Sequence, residues 1–168
     1  AYRHGNKLAD IPVELISDYL DQPGCFVWVA LRDADDDELA LMQHEFGLHD
    51  LAVEDARHGH QRPKIEEYGD SVFAVLHLIE YTPTDDLMPG EVNIFVGPNF
   101  VLSVRSRSGR GFLEVRERCE REPELLQQGS GFVFYALMDA VVDRYFPLVD
   151  ALETELEAIE AQIFGQGA

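Results

Sequence analysis

Apolar residues along the chain follow two periodicities, and the switches between them mark the elements. Residues 25–31 are a short, β-rich apolar run bounded by Pro23-Gly24 and by an acidic cluster at 33–38, which reads as a buried strand. In residues 38–46 the apolar positions Leu39, Met42 and Phe46 lie three and four apart, the spacing of one helical face. Asp36 or Asp37 is placed to cap that helix and Gly47 to end it. A second helix is expected over residues 50–58, stopped by Gly59 and Pro63. Residues 72–79 are apolar nearly throughout, so a strand over 71–81 is expected inside a sheet, covered on both faces. After a loop over 82–90, strands at 91–96 and 100–105 flank Gly97-Pro98-Asn99, a hairpin with a three-residue turn. Helical patterns return at 112–121 and from Phe132 onward.

The last helix carries a seam. Val149, Leu152, Leu156, Ile159 and Ile163 recur three and four residues apart, with glutamates on the other faces, a pattern that needs a partner helix. Over residues 132–164 such a helix is roughly 50 Å long, longer than a small domain is wide, so it is expected to project. Pro147 is expected to interrupt and bend it. Strands alternate with helices around one hairpin, which gives an α/β class. The expected architecture is a mixed sheet with helices on both faces, an α/β/α sandwich over residues 1–130. The beginning of a long stalk helix follows over 131–168.

Charge narrows the partners. Aspartate and glutamate outnumber lysine and arginine 32 to 13, and the net charge of −19 repels nucleic acid and anionic lipid while favouring divalent cations. Cys25 and Cys119 are too few and too far apart for a disulfide framework or a thiolate zinc site, and read as reduced core thiols. The longest apolar run, residues 132–138, falls well short of the ~18 residues of a membrane span, so these residues are expected to be soluble and intracellular.

The common catalytic and cofactor signatures are missing. There is no phosphate-binding loop and no dinucleotide fingerprint, and Gly129-Ser130-Gly131 lacks the spacers of a nucleophile elbow. His44-Glu45 opens like a zincin helix, but Leu48 stands where the second ligand belongs. His58 and His60 flank a glycine in what reads as a loop, and His77 on an apolar strand reads as a core histidine.

Two linked segments carry a resemblance. Gly47-Leu48-His49-Asp50-Leu51-Ala52-Val53-Glu54-Asp55, followed by Gln61-Arg62-Pro63-Lys64-Ile65-Glu66-Glu67-Tyr68, resembles the N-terminal domain of the CorA family of magnesium and cobalt transporters. Glu91-Val92-Asn93-Ile94-Phe95 looks like that family's hairpin motif, and Leu137-Met138-Asp139-Ala140 like the start of its long helix. Asp50 departs from the usual proline, although an aspartate there can still cap the helix carrying Glu54.

The resemblance implies a non-enzymatic role: the cytoplasmic sensing and gating domain of a homopentameric Mg²⁺/Co²⁺ channel in the cell (inner) membrane. Membrane helices and pore would lie beyond residue 168, and self-association to the pentamer belongs to the full-length protein. By motif position Glu54, Asp55 and Asp139 correspond to inter-protomer sites for regulatory Mg²⁺, with Co²⁺ as another cation. Two alternatives remain open: the equivalent domain of a related zinc transporter, and a metal-dependent hydrolase built on His49, Glu54, Asp55 and His58.

Overall fold

The computed structural model describes residues 1–84 and 86–165. Asp85, in the expected 82–90 loop, and residues 166–168, the end of the expected stalk segment, lie outside the described residues. Two short strands, β1 (Tyr2–Arg3) and β2 (Asn6–Lys7), precede a 3-10 turn (Val13–Leu15) and α1 (Ile16–Leu20). Then come β3 (Cys25–Arg32), α2 (Asp36–Phe46), α3 (Asp50–His58), β4 (Lys64–Tyr68), β5 (Ser71–Tyr81), β6 (Leu87–Gly97) and β7 (Phe100–Ser106). The helices α4 (Leu113–Arg121), α5 (Pro123–Leu126) and α6 (Ser130–Gly165) complete the order.

Among the described residues seven strands form one sheet in the order β2-β1-β3-β7-β6-β5-β4, with β3 and β7 parallel and every other pair antiparallel. Side chains alternate across this sheet and divide the core in two. Phe73, Val75, Phe95, Leu102 and Val104 pack with Leu39, Met42 and Phe46 of α2 and with Ala52, Val53 and Ala56 of α3. Ala74, Val92, Ile94 and Val101 pack on the other face with Val115, Leu126, Val133 and Leu137 from α4, α5 and α6. The result is the expected α/β/α sandwich, with β5 inside the sheet and both cysteines buried and free.

Several local expectations need correction. Asp35, not Asp36 or Asp37, caps α2, its Oδ1 accepting from the Glu38 N–H at 2.8 Å. Strand β6 begins at Leu87, inside the expected loop, because β5 and β6 pair from Tyr81↔Leu87 onward. Gly97 pairs with Phe100, so the β6–β7 turn has two residues rather than three. Strand β3 is buried over its first three residues only; Ala30 and Arg32 are exposed. Helix α6 runs unbroken through Pro147. Its buried residues stop at Leu148, so the helix lies on the sheet to that point and projects beyond it, with Val149, Leu152, Leu156, Ile159 and Ile163 exposed. Among the described residues no helix is long and apolar enough to cross a membrane.

Candidate metal site

Helix α3 presents Glu54 and Asp55 because Ala52, Val53 and Ala56 turn the opposite side of the helix to the core. Its start is fixed by His49, whose Nδ1 accepts from the Leu51 N–H at 3.1 Å and whose ring stacks on Tyr68 at 4.2 Å. The cap is therefore His49 and not Asp50, which instead accepts from Gln43 Nε2 at 2.5 Å. The other end of α3 is fixed by Glu91 of β6. Glu91 is 1% exposed, and its Oε2 accepts from the His60 N–H at 2.9 Å and lies 3.4 Å from Arg107. Both ends of the acidic helix are thus tied to the sheet.

Strand β4, the sheet edge below α3, adds a cation. Lys64, Glu66 and Tyr68 alternate toward α3, opposite Val75, Phe73 and Ser71 of β5. Lys64 Nζ lies 2.6 Å from Asp55 Oδ2 and 2.5 Å from Glu66 Oε1. The hydroxyl of Tyr68 donates to the same Glu66 carboxylate. Hydrogen bonding to Asp55 and then to Glu66 raises the Lys64 ammonium above its ordinary pKa. The Lys64 bond, followed by that of Tyr68, holds the Glu66 carboxyl below its own. Among the described residues Glu54 has no comparable partner; His58 Nε2 lies 3.9 Å from its Oε1, and its side chain is 59% exposed.

Asp139 lies on α6, across the sheet. Arg118 of α4 donates to its Oδ2 at 2.8 Å, and that bond raises the guanidinium pKa. Glu54 and Asp55 are adjacent, therefore, and Asp139 is separated from them by the whole sheet. Among the described residues, no three His, Cys, Asp or Glu side chains of one chain are arranged to hold a metal. The four hydrolase candidates are similarly scattered in role, with His49 capping a helix, Asp55 ion-paired to Lys64, and Glu54 beside His58. His77 Nε2 meets the Gln61 carbonyl at 2.7 Å.

Sequence reasoning missed Lys64, Arg118 and Glu91. Lys64 lies in the Gln61–Tyr68 motif, but only the reversal between α3 and β4 brings it to Asp55. Glu91 opens the hairpin motif, but its burial beside Arg107 has no one-dimensional signature.

A family profile described as CorA-like Mg²⁺ transporter protein matches residues 24–168. The chain belongs to the CorA family. YfjQ of Bacillus subtilis, which bears the name of a metal ion transporter, is 37% identical over 154 residues, covering 91% of this chain and 46% of that protein. The cobalt/magnesium transport protein CorA of Thermotoga maritima is 32% identical over 120 residues, 70% of this chain and 34% of that protein. This CorA-family chain therefore spans less than half the length of these relatives. The soluble domain of CorA from Methanocaldococcus jannaschii shares the fold, with a TM-score of 0.62 at 22% identity over 95% of this chain and 60% of that one. The cytoplasmic domain of ZntB from Vibrio parahaemolyticus shares it too, with a TM-score of 0.61 at 14% identity over 78% of this chain and 53% of that one.

Proposed function

We propose that this chain is the cytoplasmic cation-sensing domain of a Mg²⁺/Co²⁺ transporter, not an enzyme, and that Mg²⁺ bound between neighbouring protomers closes the pore. The observation that carries the reading is the placement of the acidic residues. The Glu54-Asp55 pair and Asp139 stand on opposite sides of one sheet, so a metal that uses both must join two protomers. Such a head-to-tail contact closes into a ring when its rotation permits, and the ring proposed for the full-length protein is a homopentamer. Family membership supplies the transport function, and a membrane part beyond these residues supplies the pore, with this domain on the cytoplasmic side of the cell membrane.

Carboxylate ligands without thiolates suit Mg²⁺, which keeps several waters and takes one or two carboxylates. Lys64 and Arg118 act as internal counter-ions that the incoming metal must displace from Asp55 and Asp139, so binding is weak and responds to cytoplasmic Mg²⁺ near millimolar concentration.

The test is uptake and current in cells expressing the whole protein that contains this chain. Mg²⁺ and Co²⁺ should be carried, and Asp55→Ala should weaken inhibition by internal Mg²⁺ while leaving conduction intact. An unchanged midpoint and steepness in that variant would remove Asp55 from the sensor. Transport of Zn²⁺ in place of Mg²⁺ would favour the zinc-transporter reading, whose fold is the same.

A further inference from the structure

Strand β3 loses its cover halfway along. Trp28 is half-buried and Ala30 exposed, because the start of α4 stands off the sheet and leaves a cavity of about 310 Å³ over β3 and β7. Trp28 and Ala30 point to that face, and Ser103 of β7 lies beside Ala30 in register. The ring of Phe112 lines the cavity from the start of α4.

Its polar side is built for negative charge. Ser103 is only 4% exposed, and among the described residues its hydroxyl has no hydrogen-bond partner within the chain, although it lines the cavity. Arg105 follows on the same face of β7. Among the described residues it meets no carboxylate; its Nε donates to the Ser108 carbonyl at 3.3 Å, which leaves the terminal nitrogens for a ligand. The guanidinium lies against Gly111, where an added Cβ would stand 3.0 Å from Nη1 and 3.3 Å from Cζ. Glycine at this position lets the charge approach the backbone where α4 begins, and no side chain caps that helix. Arg116, by contrast, lines the same cavity but is held by Asp10 at 2.8 Å and Glu120 at 3.3 Å.

We propose that this cavity binds a small organic anion: one carboxylate, on Arg105 and Ser103, carried by an aromatic body that rests against Trp28 and Phe112. A planar guanidinium donates two parallel hydrogen bonds to a carboxylate, and the aromatic walls supply the apolar contact that most small-molecule sites need. The volume is at the small end of such sites, which fits a single ring and excludes a nucleotide. The cavity shares no residue with Glu54, Asp55 or Asp139, so the site stands or falls independently of the metal reading.

Trp28 is the only tryptophan in the sequence, so the cavity carries its own reporter. In the 168-residue chain, phenylacetate should change Trp28 emission saturably, whereas acetate, inorganic phosphate and benzylamine at equal concentration should not. Arg105→Gln should weaken phenylacetate at least tenfold with the melting transition retained. Gly111→Ala should also weaken it, because the added methyl displaces the guanidinium without removing its charge. If Arg105→Gln does not fold, Gly111→Ala and Ser103→Ala decide the matter by the same titration. Quenching that never saturates, an equal response to benzylamine or to phosphate, or unchanged affinity in the folded variants would overturn the proposal.

Discussion

Replacing Lys64 by methionine tests whether α3 and β4 together hold a cation. Methionine retains an apolar stem near the Phe73 ring, 6.0 Å from the ammonium, and removes the charge. The ammonium touches Asp55 at 2.6 Å and Glu66 at 2.5 Å, so without it two carboxylates face each other with nothing between them. Their oxygens lie within about 5 Å, where two unit charges repel by about 3 kcal/mol at an effective dielectric near 20. Side-chain exposures of 28, 26 and 36% admit water to all three groups. Screening then reduces the net loss to about 1–2 kcal/mol. For a domain of this size the melting temperature should fall by about 2–8 °C.

The pH dependence has a definite sign. The depressed Glu66 carboxyl contributes stability that is present above about pH 4.5, its ordinary value, and is lost as pH falls through its lower native pKa. The raised Lys64 contributes stability that is fully present below 10.5 and is lost as pH rises through its higher native value. Wild type and variant should therefore differ most between those limits and converge in acid. Mg²⁺ should replace the missing ammonium. With a dissociation constant of about 1 mM, 20 mM Mg²⁺ adds about 1.8 kcal/mol by linkage and restores most of the loss. Thermal melts across pH and Mg²⁺ concentration measure all of this. No fall in melting temperature, or equal Mg²⁺ shifts in wild type and variant, would refute the competition between Lys64 and the metal.

Three further outcomes follow from the packing. Burial pushes the Glu80 carboxyl up, but hydrogen bonds from Ser108 Oγ and from the Arg110 and Gly109 N–H groups outweigh it and hold the pKa below its ordinary value. Glu80→Ala should cost about 2 kcal/mol at neutral pH, a loss that shrinks as the pH falls below the carboxylate range, read by urea melts at several pH values. Asn93 is fully buried, and neither amide atom has a hydrogen-bond partner among the described residues, so Asn93→Leu should stabilise the chain by about 1 kcal/mol; a loss in the same melts would contradict this. Leu137→Ala should cost about 2–5 kcal/mol, whereas Leu156→Ala, 56% exposed on the projecting part of α6, should change the unfolding midpoint little.

Long, strongly periodic elements were legible in the sequence because one physical choice dominates each of them. Leu39, Met42 and Phe46 leave α2 a single face to bury, and that face is the buried one. The apolar run of β5 needs cover on both sides and receives it. Short elements escape this logic. The two-residue strands β1 and β2 carry no periodicity, and in β4 the pattern Lys64-Ile65-Glu66-Glu67-Tyr68 gives neither face an apolar stripe, since the strand is an edge and its one aliphatic residue, Ile65, is 58% exposed. The cap at Asp35 was readable from Glu38 three residues later, the spacing of a capping box, but the neighbouring aspartates masked it. For the candidate site, the acidic residues were legible as a motif, while their counter-ions Lys64 and Arg118 emerge only once strand and helix are set side by side.

The counter-ions also bear on how a weak site can govern a pore. A carboxylate already satisfied by lysine or arginine gains little from Mg²⁺, so each proposed site must bind loosely and fill only when the cation is abundant. If the closed state alone binds, raising Mg²⁺ from one to ten times the dissociation constant stabilises it by about 1 kcal/mol per site. One site would barely move a gate. Because Glu54 and Asp55 stand across the sheet from Asp139, a shared metal makes every contact in the ring equivalent, and the proposed pentamer has five. Together they supply about 5 kcal/mol, close to the roughly 5.5 kcal/mol that carries a two-state equilibrium from 1:99 to 99:1. On the proposed mechanism, Lys64 and Arg118 set the Mg²⁺ concentration at which the ring closes, and the symmetry of the assembly sets how steeply it does so.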